Sequence, residues 1–401
     1  MQVLRGKQAT VEFALRSRSA QACHVEHLYY ERINFWRDFF PGLLGDRLAP
    51  LAAGESATQS FAAGELVPAY DAGLVYRIRP AQLNLALGSG MPVAARNGLF
   101  YPRGMIAELP NVFADDRRPF RFLGADGERL RVDLNHPLAR YPLNVEGQVL
   151  AKHGAQAEHG GRSHDIGYEL TQDGPGMQVA DPVVATDYYA DEPYTRTDER
   201  ADAFFYRQPR FVQHLDSTAR ARVSEIYARL FAPGAQVLDL MTSWVSHLPQ
   251  DRDLMVTGLG LNAEELERNK HLSERLVQDL NADPRLSFSD KRFDAALCTV
   301  SVEYLVKPVE VFREVARVLR PGAPFVLTFS ERWFPPKVAR IWIELHPFER
   351  MGLVLDYFRQ AGGFTDLHTE STRGLPRPAD DAYANQLLLS DPVYAVWGHA
   401  T

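Results

Sequence analysis

Cysteine is nearly missing: the 401 residues hold two, Cys23 and Cys298, far apart in the chain. Two thiols build neither a disulfide framework nor a four-sulfur zinc site, and each reads as a small apolar core residue. Long hydrophobic runs are missing too. Runs such as Phe325 to Phe329 stop far short of the roughly 20 residues that cross a bilayer, and the opening MQVLRGKQATVEF carries no secretory apolar segment. A cytoplasmic protein with no membrane partner is expected. Excess positive charge is also absent, since 44 Lys and Arg face 51 Asp and Glu for a net charge of −7. No global field gathers a polyanion, which disfavours tight nucleic-acid binding. The remaining composition is that of a folded chain, 45% apolar and 24% charged, long enough for two domains with filled cores.

The rhythm of the sequence changes along its length. Up to about residue 150, short strand patterns are broken by Gly, Pro and Asn. ATVEFALR (9 to 16) alternates at period two, FAAGELVPAYDAGLVYRI (61 to 78) ends in a second alternating run, and GERLRVDLNHPLARYPLNVEGQVL (127 to 150) reads as two strands and a turn. Between them NFWRDFFPGLLGDRLAPL (34 to 51) has the spacing of one short helix. The Gly-, Ala- and His-rich AKHGAQAEHGGRSH (151 to 164) lacks either period and opens a linker taken as residues 151–195. From residue 196 strands alternate with helices. A helical stretch (Phe211 to Phe231) precedes QVLDLM and MVTGLGL, then come a helical segment (Ala263 to Leu280), FDAALCTVSV, a helix (Pro308 to Leu319) and APFVLTFS. This pattern specifies a parallel sheet covered on both faces.

In such a sheet, ligands bind beyond the carboxyl ends of the strands. The strings AQVLDLMTSWVSHLP (235 to 249), VTGLGLNAEELERN (256 to 269), VQDLNADPRLSFSDKRFDAALCTVSVEYL (277 to 305) and VFREVARVLRPGAPFVLTFS (311 to 330) resemble the class I S-adenosylmethionine-dependent methyltransferases of the type 11 kind, over roughly residues 200 to 375. The RPG turn between helix and strand fits, because Pro cannot prolong a helix and Gly takes the positive φ that closes it. The resemblance implies an α/β Rossmann-like domain with S-adenosyl-L-methionine as cofactor. It places Asp239, Leu240, Met241, Thr242, Ser243, Gly260, Leu261, Asn262, Asp279, Leu280, Asn281 and Thr299 around that cofactor. Two departures stand out. The loop after the first strand, Met241 to Val245, has no glycine, and Gly260 stands where the family carries an acidic residue for the ribose. Thr242 and Ser243 can donate in place of a glycine-rich backbone, with Asn262 as the nearest polar substitute. A domain that has lost its ligand is the competing reading.

Methyl transfer from a sulfonium needs mainly alignment and exclusion of water. A hydroxyl or amine acceptor needs a base as well, for which Glu303, Tyr304 and His346 are candidates, with surface, packing and helix-capping roles as their alternatives. The aromatic DAFFYRQPRFVQHLD (202 to 216) lies where the resemblance puts a lid. Tyr206, Arg210 and His214 are candidates there, Arg210 as a partner for the methionyl carboxylate. Trp333 and Phe334 in SERWFPPKVARIW (330 to 342) are candidates for an apolar acceptor wall.

The VDLNHPLA string and its following strand resemble the SlyD-like FK506-binding (FKBP)-type prolyl isomerases, over about residues 5 to 150, with residues 98 to 117 where that family inserts a flap domain. The resemblance implies a mostly β, α+β fold and a protein docked on it. The position of the family's groove tyrosine is Val67 and that of an early aromatic is Leu15, so a depleted groove is expected. Asn135 and His136 read as stabilisers of their own turn. His153, His159 and His164 could gather a metal weakly, but no cysteine pair accompanies them and no metal site is expected. Two functions remain. One is a methyltransferase for a small or medium-sized acceptor, its first domain docking a partner or shaping the substrate. The other is a prolyl isomerase-like binding or chaperone protein with an inert methyltransferase-like domain.

Overall fold

A computed structural model describes residues 7–85, 95–154, 161–189 and 192–401. The chain divides into two compact units, residues 1–21, 30–192 and 348–352 in the first and residues 22–29, 193–347 and 353–401 in the second.

In chain order the first unit holds β1 (Gln8–Arg18), the last residues of β2 (Ala22–Asn34), α1 (Leu44–Leu48), β3 (Ser56–Phe61), β4 (Val75–Ile78), β5 (Phe100–Pro102), β6 (Pro119–Asp126), β7 (Arg129–Asp133), β8 (Leu143–His153) and α2 (Ile166–Thr171). It is mostly β. Antiparallel β8 lies between β1 and β3, and alternate residues Val11, Phe13, Leu15, Val145 and Val149 are buried, as a period-two pattern requires. The helix expected over 34 to 51 shrinks to α1, because Pro41 cannot donate and Gly42 takes a φ of 55° just before it. A second sheet, in the order β4-β7-β6-β5, is inserted between β3 and β8 around its own core of Ile78, Ile106, Phe120, Phe122, Val132 and Leu134. The stretch 98 to 117 is only part of this insertion. Asn135 closes its neck: its amide donates to the Asp71 carbonyl at 2.9 Å and to Asp133 at 2.7 Å, and accepts the Asp71 N–H at 2.8 Å.

The linker reading needs correction over residues 161–189. Asp165 caps α2 by accepting the Tyr168 N–H at 3.0 Å, and Ile166, Leu170, Met177, Val179 and Tyr188 are buried. The aperiodic run before Asp165 hid an ordered segment behind it. His153 ends β8 with a 2.9 Å bond to Thr10, His164 lies 3.1 Å from Glu169, and His159 falls outside the described residues. No group of three or more possible metal ligands occurs among the described residues.

The second unit holds α3 (Asp202–Phe205), α4 (Ser217–Leu230), β9 (Gln236–Leu240), β10 (Met255–Gly260), α5 (Ala263–Arg268), β11 (Leu272–Val277), β12 (Ala295–Thr299), α6 (Pro308–Val318), β13 (Pro324–Phe329), α7 (Arg340–Ile343), most of α8 (Pro347–Ala361), β14 (Phe364–Arg373) and β15 (Val393–Ala400). The sheet order is β11-β10-β9-β12-β13-β15-β14, parallel from β11 to β13, with β15 antiparallel to both neighbours and residues 22–29 of β2 running parallel to β14. Val237, Leu297 and Val326 are fully buried, as expected of strands covered on two faces. Strand order reverses at β9, which lies between β10 and β12.

Two helix expectations change. The Phe211 to Phe231 stretch becomes helical only at Ser217, where Asp216 caps α4 by accepting the Ala219 N–H at 2.9 Å. The Ala263 to Leu280 segment is α5 and then β11. Leu272 and Leu276 have helical spacing, but pairing of Thr257 to Gly260 with β11 wins.

Candidate active site

The reversal of strand order leaves a crevice beyond the carboxyl ends of β9, β10 and β12. A cavity of about 270 Å³ opens there. Every cofactor candidate named from the sequence lines it except Leu240, which is buried inside β9.

The two sequence departures explain each other. The Thr242 N–H donates to the Leu259 carbonyl at 2.8 Å, laying the loop across the end of β10. A Cβ on Gly260 would stand 2.2 Å from the Thr242 carbonyl oxygen, and one on Gly258 would stand 2.9 Å from the Thr242 methyl. The strand under the loop therefore needs glycine, and no side chain can project from position 260. Left-handed backbone is carried by side-chain-bearing residues instead: Met241 has φ 54°, His247 φ 52° and Val300 φ 42°. Three such positions around one crevice, one of them β-branched, are strain of the kind that collects at ligand sites.

Charge in the cavity is left over after the protein's own bonds are made. Asp239 is 1% exposed, and its Oδ2 has no hydrogen-bond partner. Burial pushes its carboxyl up to about 7 against the pull of the Ser246 and Thr242 hydroxyls. Arg210 stacks over Phe205 at 4.4 Å and over Phe334 at 5.3 Å and donates to the Phe205 carbonyl at 3.2 Å, while its buried Nη1 has no partner. Asp279 accepts the N–H groups of Asn281 and Ala282 through Oδ1. Its Oδ2 makes no hydrogen bond among the described residues. A buried carboxyl with one unpartnered oxygen, a buried guanidinium with one unpartnered nitrogen and a half-used carboxylate suit a zwitterionic nucleoside.

Other candidates serve the walls. Asn262 spends its amide on the Tyr206 and Arg207 carbonyls at 2.9 and 3.2 Å and accepts the Glu265 N–H at 3.1 Å, so it fastens the 202 to 216 segment rather than replacing a ribose ligand. The Ser243 hydroxyl donates to Glu265 at 2.6 Å. Asn281 donates to Asp202 at 2.7 Å and to the Tyr304 carbonyl at 2.9 Å, and Thr299 is bonded to Tyr227 at 2.6 Å. Lys337, fully buried, reaches Asp202 at 3.0 Å and the Asp198 carbonyl at 3.0 Å. Lys337→Met should therefore cost about 3 kcal/mol of stability. It should also speed tryptic cleavage within residues 202 to 216, as limited proteolysis would show; unchanged cleavage and melting would contradict this anchoring.

On the acceptor side, Tyr304 lines the cavity, while Glu303 and His346 do not. Glu303 is 2% exposed within the turn that carries Tyr304. The Tyr304 hydroxyl oxygen accepts the Phe334 N–H at 2.8 Å, and burial pushes its ionisation well above the ordinary range, which makes it scaffold. Phe334 and Trp333 are in the wall, as is His214. His247 was missed. Its only signal was proximity to Thr242 and Ser243; the left-handed backbone that sets its place leaves no mark in composition.

The first unit has a cavity of its own, about 750 Å³, which Val67 lines. Phe39, Phe40, Phe61, Tyr76 and Tyr168 give this cavity an aromatic lining, while Leu15 is buried in β1. His136 turns one ring nitrogen to the Leu138 N–H at 3.1 Å and the other to the Thr171 carbonyl at 3.1 Å, and burial holds it down to about 4.

Residues 241–327 match the family described as a methyltransferase domain. The curated methyltransferase phqN of Penicillium fellutanum is 36% identical over 76 residues, which are 18% of this chain and 23% of that protein, so the chain spans under a quarter of that relative. Among solved structures, similarity extends to the methyltransferase in a Haloferax volcanii complex with the Trm112 activator (19% identity, TM-score 0.36, 46% of this chain and 91% of that one). It extends also to an S-adenosylmethionine-dependent methyltransferase of Aquifex aeolicus (15% identity, TM-score 0.31, 47% and 92%). The match to a methyltransferase domain is therefore confined to residues 241–327, which hold the loop after β9 and the strands from β10 into β13.

Proposed function

We propose that the chain transfers a methyl group from S-adenosylmethionine to a small or medium-sized acceptor in the second-unit cavity. One observation carries this reading: Asp239 and Arg210 both line the crevice at the strand-order reversal, and each keeps one buried polar atom, Oδ2 and Nη1, without a hydrogen-bond partner. Together they match the ammonium and carboxylate of the cofactor's aminoacyl end. Asp279 is left to the adenine edge, and the loop from Met241 to Ser243 forms the floor. When bound, the cofactor supplies a methyl group on a sulfonium that is its own leaving group. The residues hold, align and exclude water. Titration with S-adenosylhomocysteine tests this. Ligand at a hundred times its dissociation constant should stabilise the protein by about 2.7 kcal/mol; no heat of binding and no shift in melting would end the reading.

The first unit supports the finer proposal of a SlyD-like, FK506-binding-type domain that docks a protein or shapes the substrate. The inserted four-stranded sheet, its Asn135 neck and the aromatic-lined cavity favour it. The same cavity favours the second reading, a prolyl isomerase-like binding or chaperone activity. A proline-peptide isomerisation assay separates them: catalysis lost in Phe61→Ala supports isomerisation, and binding without catalysis supports docking.

A further inference from the structure

His214 and His247 line the same cavity, and neither ring makes a hydrogen bond to any described residue. With no protein partner on either ring, both imidazoles are open to a ligand in the cavity. They differ in what surrounds them. His214 meets the Phe334 ring edge-on at 5.3 Å. Phe334 is the hub of an aromatic wall, stacked on Tyr304 at 6.1 Å and touched by Tyr206 at 6.5 Å and Phe205 at 5.9 Å. His247 has no ring contact of this kind, and burial, with Arg220, His214 and His271 nearby, holds it down to about 4, too weak for a base. His214 is also held in its neutral form, by burial and by Arg210, with Glu265 opposing.

We infer that the acceptor is a flat aromatic hydroxyl compound lying along the Tyr304–Phe334 wall, and that His214 is the catalytic residue that takes its proton. This rests on the methyl-transfer reading above and names the substrate class of that site. The acceptor oxygen attacks the methyl carbon in line with sulfur; the O–C bond forms as the C–S bond breaks, its electron pair going to sulfur. The hydroxyl proton passes to the free ring nitrogen of His214 and from there to solvent. An aryl ether and S-adenosylhomocysteine remain, so atoms and charge balance. Tyr304 cannot take the proton, because burial keeps its own hydroxyl protonated.

The test uses the full chain, 4-nitrophenol and 4-methylphenol as acceptors, and His214→Gln and His214→Leu as variants. S-adenosylhomocysteine binding is measured first, so that failure of the cofactor reading is separated from failure of this one. At neutral pH, His214→Gln should lower methylation of 4-methylphenol about 10²- to 10⁴-fold but barely change that of 4-nitrophenol, about half of which is ionised without help. A readout without turnover accompanies it. With S-adenosylhomocysteine bound, the preference for 4-nitrophenol over 4-nitrotoluene should fall roughly five- to tenfold in His214→Leu, the worth of one hydrogen bond. Equal losses for both phenols, an unchanged preference, or no phenol methylation by a protein that binds S-adenosylhomocysteine would each overturn the inference.

Discussion

Gly260→Ala should weaken S-adenosylmethionine binding severely while leaving the first unit folded. The added methyl would lie 2.2 Å from the Thr242 carbonyl oxygen, a backbone atom that cannot rotate aside. Relief requires the loop to lift from β10, breaking the 2.8 Å bond from the Thr242 N–H to the Leu259 carbonyl and displacing the hydroxyl that Thr242 gives to Asp239. Overpacking of this kind costs about 1–3 kcal/mol. The effect on binding is larger, because the shifted loop is the floor of the cavity, and affinity for S-adenosylhomocysteine should fall at least about a hundredfold, or 2.7 kcal/mol. Calorimetric titration with a melting curve checks both. Unchanged affinity would mean that the loop does not approach the ligand.

The second large effect concerns Asp239 and pH. Its carboxyl titrates near 7 in the folded protein against an ordinary 3.8, raised chiefly by burial. A raised carboxyl stabilises the fold fully below the unfolded value and loses that contribution as pH climbs towards the folded one. The ligand-free protein should thus lose up to about 4 kcal/mol between pH 4 and pH 7 through this group alone. Asp239→Asn should remove that slope and raise ligand-free stability at pH 8. Binding runs the other way. A cationic ammonium needs the carboxylate, so affinity should weaken about tenfold per unit as pH falls from 7 to 5, with a proton released on binding at pH 6. Asp239→Asn should bind weakly at every pH. A flat affinity profile for the unaltered protein would place the ammonium elsewhere.

Much of the crevice was legible because strand ends follow apolar runs. The runs QVLDLM, MVTGLGL and FDAALCTVSV ended within one to three residues of where β9, β10 and β12 stop, which put Asp239, Gly260 and Thr299 at strand ends. What the strands cover was not legible. Gly260 looked like a lost acidic residue, and only its 2.2 Å approach to Thr242 reveals why no side chain fits there. Asn262 looked like a ligand because a short polar side chain at a strand end is equally suited to capping, and here it caps α5 and holds the 202 to 216 segment. Leu272 to Val277 fitted a helical period until pairing with β10 decided it. His247 depends on a left-handed backbone at a residue with no glycine-like signature.

The central claim is that Asp239, as carboxylate, and the unpartnered Nη1 of Arg210 clasp the two charged ends of an amino acid joined to a nucleoside. Its most direct test is the affinity of the unaltered protein for S-adenosylhomocysteine relative to 5′-methylthioadenosine, which keeps the nucleoside and sulfur but lacks both charges. Two charge-assisted contacts predict a preference of about a hundredfold or more for S-adenosylhomocysteine. Equal affinities for the two compounds would contradict the account.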